Sequence, residues 1–167
     1  ALPVVVLTVV LLVSLGPLGS QASVAANAPL TVRITAHRWW WQIDYPGLNI
    51  TTANEVHIPL HEEVTLELAS DDVVHSFWVP QLSGKTDMIP GQVNKTWIQA
   101  TTAGTYEGHC AEYCGVGHGY MNLLVVADST DDFTAWEKNQ QVVPPVPASG
   151  QLLKGMQVFL GSACVYC

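Results

Sequence analysis

Short runs of alternating apolar and polar residues occupy the middle of the chain. Alternation puts every second side chain on one face of an extended strand, and it occurs at residues 31–35, 64–68, 94–100 and 120–126. Glycine-containing dipeptides such as Pro46-Gly47 supply turns between the runs. The pattern predicts an all-β domain over residues 30–127, folded as an antiparallel sandwich with Greek-key connections.

The first residues form an apolar run of a different kind. Residues 1–15 carry no charge, but a helix of that length, at about 1.5 Å per residue, is shorter than a hydrocarbon core of about 30 Å. Because no methionine or basic segment precedes it, we interpret residues 1–18 as the C-terminal part of a truncated transmembrane helix, followed by a connector at residues 19–29. A signal peptide cleaved near residues 26–28 and a buried soluble helix are the alternatives.

Helical signals return after the last strand. Residues 131–138 predict a short surface helix, capped by Ser129 or Asp131, within a tail that covers residues 128–143. The proline-rich residues 144–150 predict a semi-rigid linker.

Charge excludes one class of partner. The chain has 6 Lys and Arg against 14 Asp and Glu, for a net charge of −8, whereas nucleic-acid binding requires a basic surface. An acidic surface suits the attraction of a basic partner. The length of 167 residues is enough for one well-buried domain with appendages.

Residues 110–121 place two thiols, an imidazole and a thioether in one glycine-rich loop, at Cys110, Cys114, His118 and Met121. Soft sulfur ligands together with imidazole favour copper. A mononuclear blue-copper site uses a single Cys, while two thiolates that bridge two copper ions use both. Each copper then needs a nitrogen, and His75, in an apolar segment at the end of a predicted strand, is the best candidate for the second one.

Other interpretations explain part of this cluster. A disulfide between the two cysteines is plausible outside the cytoplasm but leaves His118 and Met121 without a role. Zinc is possible, although methionine is a poor zinc ligand, and Met121 could belong to the core.

The remaining histidines have weaker cases as ligands. His57 and His61 lie among glutamates and are interpreted as a solvated edge. The side chain of His109 should point away from the Cys110 sulfur in an extended backbone. His37 has no partner in the motif.

The loop resembles the CxExCGxxHxxM signature of cytochrome c oxidase subunit II, the family that carries the dinuclear CuA centre. The similarity extends to residues 37–46, 72–80 and 85–91 and covers roughly residues 1–138. It implies a cupredoxin-like form of the sandwich. Gln92 stands where the family often has Arg, which affects an expected contact with subunit I and not the copper site.

The resemblance also implies a ligand set. Cys110 and Cys114 bridge both coppers, and the remaining ligands are His75 and Met121 for one copper, and His118 and the backbone carbonyl of Glu112 for the other.

Two further roles follow from the same resemblance. The Glu112 side chain would reach a magnesium ion shared with subunit I. Trp39 matches the tryptophan through which the family is thought to receive electrons, while Trp40 and Trp41 are as well explained by ordinary interfacial or core packing.

The chain ends in a CxxC pair, Cys164 and Cys167, after an amphipathic helical pattern at residues 151–163. The helix resembles the first helix of a cytochrome c, so residues 151–167 are interpreted as the start of a truncated, fused cytochrome c domain that binds haem c covalently. A structural disulfide is the alternative. A thioredoxin-like motif would need a βαβ setting.

The resemblance implies the electron-accepting subunit of a respiratory haem–copper oxidase. It would take electrons from cytochrome c and pass them to haem in subunit I, where oxygen is reduced and protons are translocated. Expected partners are subunits I and III, cytochrome c and a cell or inner membrane, with the soluble domain on the extracytoplasmic side. The alternatives are the CuA domain of nitrous-oxide reductase and a copper-delivery or electron-transfer cupredoxin module outside an oxidase. A quinol-oxidase subunit II is related in fold but would lack these ligands.

Overall fold

A computed structural model describes residues 2–22, 28–143 and 145–162 of the chain. In these residues the strands are β1 (Leu30–His37), β2 (Trp40–Tyr45), β3 (Ile50–Ala53), β4 (Glu55–Pro59), β5 (Val64–Ser70), β6 (His75–Trp78), β7 (Thr86–Met88), β8 (Asn94–Ile98), β9 (Gly104–Cys110) and β10 (Asn122–Asp128). The helices are α1 (Leu2–Ala22), α2 (Thr130–Gln140) and α3 (Gly150–Leu160), with a short 3₁₀ turn at His118–Tyr120.

The described strands form two sheets of five, which confirms the predicted sandwich. One sheet has the order β3-β2-β1-β5-β8 and the other β4-β10-β9-β6-β7. The expectation of purely antiparallel sheets is wrong, because β1 pairs with β5, and β4 with β10, in parallel. The reason is that the chain crosses between the sheets before it returns to each partner strand, and this order of crossings is not visible in the alternation of any single strand.

The core lies between the two sheets. Alternate residues of β1, β2 and β5 are fully buried, as the pleat requires, and the largest buried rings are Trp41, Tyr45 and Phe77. Trp41 and Phe77 come from opposite sheets and meet edge to face, with ring centroids 6.3 Å apart. This packing supports β6 next to its first residue, His75.

Helix α1 is longer than the sequence pattern predicted. Helix α1 continues through Gly16 and Pro17 to Ala22, beyond the predicted end at residue 18, so Pro17 does not end it. No helix in the described part of the chain has both the length and the apolar character that crossing a membrane requires.

Helix α2 confirms the predicted surface helix. The Asp132 amide donates to the Ser129 hydroxyl at 3.2 Å, so Ser129 and not Asp131 is the N-cap. Helix α3 confirms the predicted helical segment as far as Leu160.

A row of charges crosses the outer face of the first sheet. The strand register places Glu67 of β5 opposite Arg33 of β1 on one side and Lys95 of β8 on the other. Its carboxylate lies 3.0 Å from Arg33 Nη2 and 2.9 Å from Lys95 Nζ. Hydrogen bonds from Lys95 and then Arg33 outweigh the effect of burial and lower the pKa of Glu67 below its ordinary value of 4.5.

This row predicts an acid-sensitive contribution to stability. Folded Glu67 binds a proton more weakly than unfolded Glu67, so its ion pairs stabilise the fold above pH 4.5 and are lost as pH falls through the lowered pKa. Glu67→Gln should lower the free energy of unfolding by about 0.2–1 kcal/mol at neutral pH, because such partly exposed pairs are screened by solvent. The difference from wild type should shrink below pH 4.5, as measured by urea unfolding at several pH values. Glu63→Gln, at an exposed glutamate without an ion pair among the described residues, is the control, and a Glu67→Gln difference that stays constant with pH would contradict the assignment.

Candidate metal centre

The pairing of β6 with β9 brings the two parts of the candidate site together. Phe77 pairs with Cys110 and Trp78 with His109, and the Ala111 amide donates to the Ser76 carbonyl at 2.9 Å. This register puts the fully buried His75 beside the end of β9, where Cys110 begins the loop. Two segments 35 positions apart in sequence thus share one corner of the sandwich.

The loop closes on itself next to that corner. The Cys110 amide donates to the Met121 carbonyl at 3.1 Å, which ties the ends of the loop together. Cys114 and Met121 are buried inside it, and His118 lies in the 3₁₀ turn. Closure turns one thioether and two thiols toward the same point.

Six donor atoms converge there. The sulfurs of Cys110 and Cys114 are 3.9 Å apart and not bonded to each other. His75 Nδ1 and the Glu112 carbonyl oxygen lie 3.7 and 3.2 Å from Cys110 Sγ. His118 Nδ1 and Met121 Sδ lie 3.6 and 3.7 Å from Cys114 Sγ. The ligand atoms of His75, Cys110 and Cys114 all lie within 4.8 Å of one another.

Asp72 determines which nitrogen of His75 faces the sulfurs. Its Oδ1 lies 2.8 Å from His75 Nε2 and accepts from the Val73 amide at 2.6 Å, while its Oδ2 accepts from the Arg38 amide at 2.7 Å. Because Nε2 is engaged by Asp72, Nδ1 is the nitrogen that faces Cys110. Burial raises the pKa of Asp72, but the bonds from His75, Val73 and Arg38 outweigh it and lower that pKa to about 2.

The two thiols are not equivalent. Burial opposes ionisation of Cys110, but hydrogen bonds from His75 and neighbouring backbone groups lower its pKa below the ordinary value. Burial and then the negative charge of Cys110 raise the pKa of Cys114. One thiolate therefore forms readily, while the second requires a cation to offset its charge.

Trp39 lies over the outside of the same loop. It is one of the two residues, with Arg38, in the tight turn between β1 and β2, since His37 and Trp40 are the last paired positions. Its indole Nε1 donates to the Cys114 carbonyl at 3.2 Å, and 38% of its surface remains exposed. The indole thus connects solvent to the backbone of a candidate ligand.

The donor set fits copper better than any other common ion. Two thiols, two imidazoles and a thioether are soft or borderline ligands, and copper accepts all three types. The thioether has no place in an ordinary zinc site. Because the sulfurs are separate and both face nitrogen donors, the disulfide interpretation does not describe this structure.

Comparison with known proteins finds similarity to one family. Residues 47–128 match the family described as cytochrome C oxidase subunit II, periplasmic domain. This segment is therefore similar to the subunit II family. The chain is 38% identical over 136 residues to cytochrome c oxidase subunit 2 of Alkalihalophilus pseudofirmus, covering 81% of this chain and 40% of that protein. It is 40% identical over 131 residues to the corresponding protein of Thermostichus vulcanus, covering 78% of this chain and 39% of that protein.

The fold of the chain is similar to a solved structure as well. The periplasmic domain of subunit II of cytochrome oxidase (CoxB) of Bradyrhizobium japonicum superposes with a TM-score of 0.68 at 26% identity, covering 71% of this chain and 97% of that one. The match confirms the cupredoxin-like form of the sandwich. The chain spans about two fifths of the length of the two relatives named above.

Residues outside the cluster are placed as follows. The exposed His109 bonds Asn122 Oδ1 at 2.9 Å and faces away from the sulfur, as predicted. The Glu112 side chain is exposed while its carbonyl faces Cys110. Trp41 is in the core and Trp40 stacks on His37. Cys164 and Cys167 lie outside the described residues.

The interpretation of His57 as part of a solvated edge is wrong. Its side chain is only 12% exposed, with Nδ1 2.6 Å from Asp128 and Nε2 2.8 Å from Glu55. The ring also stacks on Trp136 of α2 at 4.5 Å. The neighbouring glutamates suggested solvent, but the helix that covers the ring comes from a distant part of the sequence.

Sequence reasoning also missed Asp72. A carboxylate near a candidate metal-binding histidine was the available signal, because ligating histidines usually donate their second N–H to such a group. Its position three residues before His75 lets the turn that precedes β6 bring the two side chains together.

Asp72→Ala should weaken copper binding about 10–100-fold, because His75 loses the bond that fixes its orientation. A chelator competition titration measures the affinity. Asp71→Ala removes the adjacent carboxylate, which is 72% exposed and 3.5 Å from His37, and should leave the affinity unchanged. Equal affinities of the Asp72→Ala and wild-type proteins, at equal thermal stability, would exclude this role for Asp72.

Proposed function

We propose that this chain is the electron-accepting subunit of a respiratory haem–copper oxidase and that it holds a dinuclear CuA centre. The observation that carries the proposal is the meeting of two unbonded thiols, each within 4 Å of a different imidazole nitrogen. A mononuclear site would leave one of these thiols unused. The match of residues 47–128 to the subunit II family supports the same assignment.

The proposed ligands divide between the two coppers. Cys110 and Cys114 would be ligands of both. His75 and Met121 would complete one copper, and His118 and the Glu112 carbonyl would complete the other. When bound, the centre would supply one-electron redox chemistry between a c-type haem and the haem of subunit I.

The protein contributes rigidity and dryness to this transfer. His75 is held by Asp72 on one side and by the β6–β9 pairing on the other. Cys110, Cys114 and Met121 are buried, which excludes water from the sulfur ligands. Ligands that cannot move keep their positions when the charge of the centre changes, so the reorganisation energy stays small.

Trp39 is the proposed point at which electrons arrive. Its ring is the exposed aromatic group that is hydrogen-bonded to the backbone of Cys114. An electron that reaches the indole therefore has a path of one hydrogen bond to a bridging ligand.

The proposed partners follow from the two faces of the loop. The exposed Glu112 side chain would face subunit I and share a magnesium ion with it. Oxygen reduction and proton translocation would occur in subunit I, with subunit III as a further neighbour. The sandwich would lie on the extracytoplasmic side of a cell or inner membrane.

A cytochrome c extension is the proposed electron source. Helix α3 exposes Leu152 and Phe159, apolar residues that the packing of a cytochrome domain would cover. Haem c would attach through Cys164 and Cys167. A tethered donor acts at high effective concentration, without depending on diffusion.

Metal analysis and electron paramagnetic resonance test the proposal together. The copper-loaded protein should contain about two coppers per chain and give the signal of one unpaired electron shared between them. Cys114→Ser should abolish that signal, because one thiolate cannot hold two coppers in the same arrangement. His75→Ala should also remove it, whereas the matched control His109→Ala should not, since His109 faces away from the loop.

Two different results would contradict the proposed function. One copper per chain with a single-site signal would favour a mononuclear cupredoxin. Reversible copper binding without electron acceptance from reduced cytochrome c would favour a copper-delivery module. Either result would overturn the proposal.

A further inference from the structure

We propose that Gly117 is a positioning residue for electron arrival, because the absence of its side chain lets the Trp39 indole lie against the metal-binding loop. This inference rests on the proposed function for its consequence in electron transfer, but not for its structural claim.

The contact is too close for any side chain at position 117. A Cβ built there would lie 2.6 Å from Trp39 Cγ and 2.7 Å from Trp39 Cε3, closer than real Cβ atoms approach other heavy atoms. Gly115 shows a milder form of the same contact, with its Cβ position 3.2 Å from Trp39 Cζ2. The face of the indole therefore covers two glycines of the loop.

Backbone conformation does not explain the glycine at 117. Its φ of −90° and ψ of 4° are allowed for alanine. Gly115, by contrast, has a φ of +118°, which disfavours other residues whatever the space available. The contact with Trp39 is thus the feature of Gly117 that an alanine would disturb.

When a methyl group is added at 117, the indole and not the loop should move. Two backbone hydrogen bonds hold the loop in place: the Cys110 amide donates to the Met121 carbonyl at 3.1 Å, and the Tyr120 amide donates to the Gly117 carbonyl at 2.9 Å. Trp39 has one hydrogen bond in its side chain, and 38% of its surface is free to turn toward solvent. Displacement would break the bond between Nε1 and the Cys114 carbonyl.

Gly117→Ala tests the inference, and Gly119→Ala is a closely matched control. Gly119 is in the same loop, but a Cβ at that position would meet nothing within 4 Å. Both variants add one methyl group two residues apart, so a general effect on the loop should appear in both.

The structural readout is the Trp39 indole N–H in ¹H–¹⁵N spectra of the full chain without copper, assigned by its loss in Trp39→Phe. In wild type and Gly119→Ala this proton should be protected from exchange by its bond to Cys114. In Gly117→Ala it should shift and exchange faster. An unchanged resonance in Gly117→Ala would overturn the inference, independently of whether the protein binds copper.

The functional readout is the rate at which the copper-loaded protein accepts electrons from reduced cytochrome c. Trp39→Ala should slow it by about tenfold or more, as expected when a group in a transfer path is lost. Gly117→Ala should come within about twofold of that loss, and the double variant should be no slower than Trp39→Ala, because the two changes remove one interaction. Copper content and the paramagnetic signal should match wild type in all variants.

The outcomes separate the two proposals. If the indole moves in Gly117→Ala but the rate stays at the wild-type value while Trp39→Ala is slow, Gly117 has no role in electron arrival and the inference fails. If Trp39→Ala is as fast as wild type, the proposed role of Trp39 fails, and the positioning claim for electron arrival fails with it. A rate loss in the double variant that is the product of the two single losses would also contradict action through Trp39.

Discussion

The candidate site depends on the register between β6 and β9. His75 comes from one strand and Cys110 from the other, and the pairing of Phe77 with Cys110 sets their distance. Successive side chains of a strand point to opposite faces, so a slip of one residue would turn His75 away from both sulfurs. Packing of Phe77 against Trp41 across the core opposes such a slip. The metal centre is in this sense a product of the hydrophobic core beneath it.

Asp72 extends the same constraint to the outside of the site. One carboxylate accepts from the ring of His75 and from the Arg38 amide, which belongs to the turn that carries Trp39. Asp72 therefore fixes the turn between β1 and β2 relative to His75, although the two lie on different sheets. Accepting several hydrogen bonds makes the anionic form of Asp72 favourable, so this link persists over the whole physiological pH range.

Local patterns predicted the parts of the molecule whose cause is local. Alternation located β1, β5, β8 and most of β10, because a half-buried strand repeats every two residues. The spacing of Cys110, Cys114, His118 and Met121 predicted a closed loop, since all four lie within 12 consecutive positions. Burial of His75 beside this loop was also anticipated, from its apolar neighbours.

Features that require distant contacts were not predictable in the same way. The parallel pairing of β1 with β5 depends on the order in which the chain crosses between sheets. His57 has acidic neighbours in sequence like those of a surface residue, but Trp136 of the distant helix α2 stacks on its ring and helps to bury it. The bond from the Arg38 amide to Asp72 was not predictable, because it requires the turn before β6 to approach the turn between β1 and β2.

The site combines two demands that conflict at a single residue but not at a pair. Ligands of a copper centre need burial, because water would compete for the metal and add to reorganisation, whereas an electron donor needs a surface to approach. In the proposed function, Cys110 and Cys114 would satisfy the first demand, with 7% and 4% exposure, and Trp39 would satisfy the second, with 38%. The bond from its indole to the Cys114 carbonyl joins the two. A side chain at Gly117 would separate them, which gives this glycine a consequence well beyond its own volume.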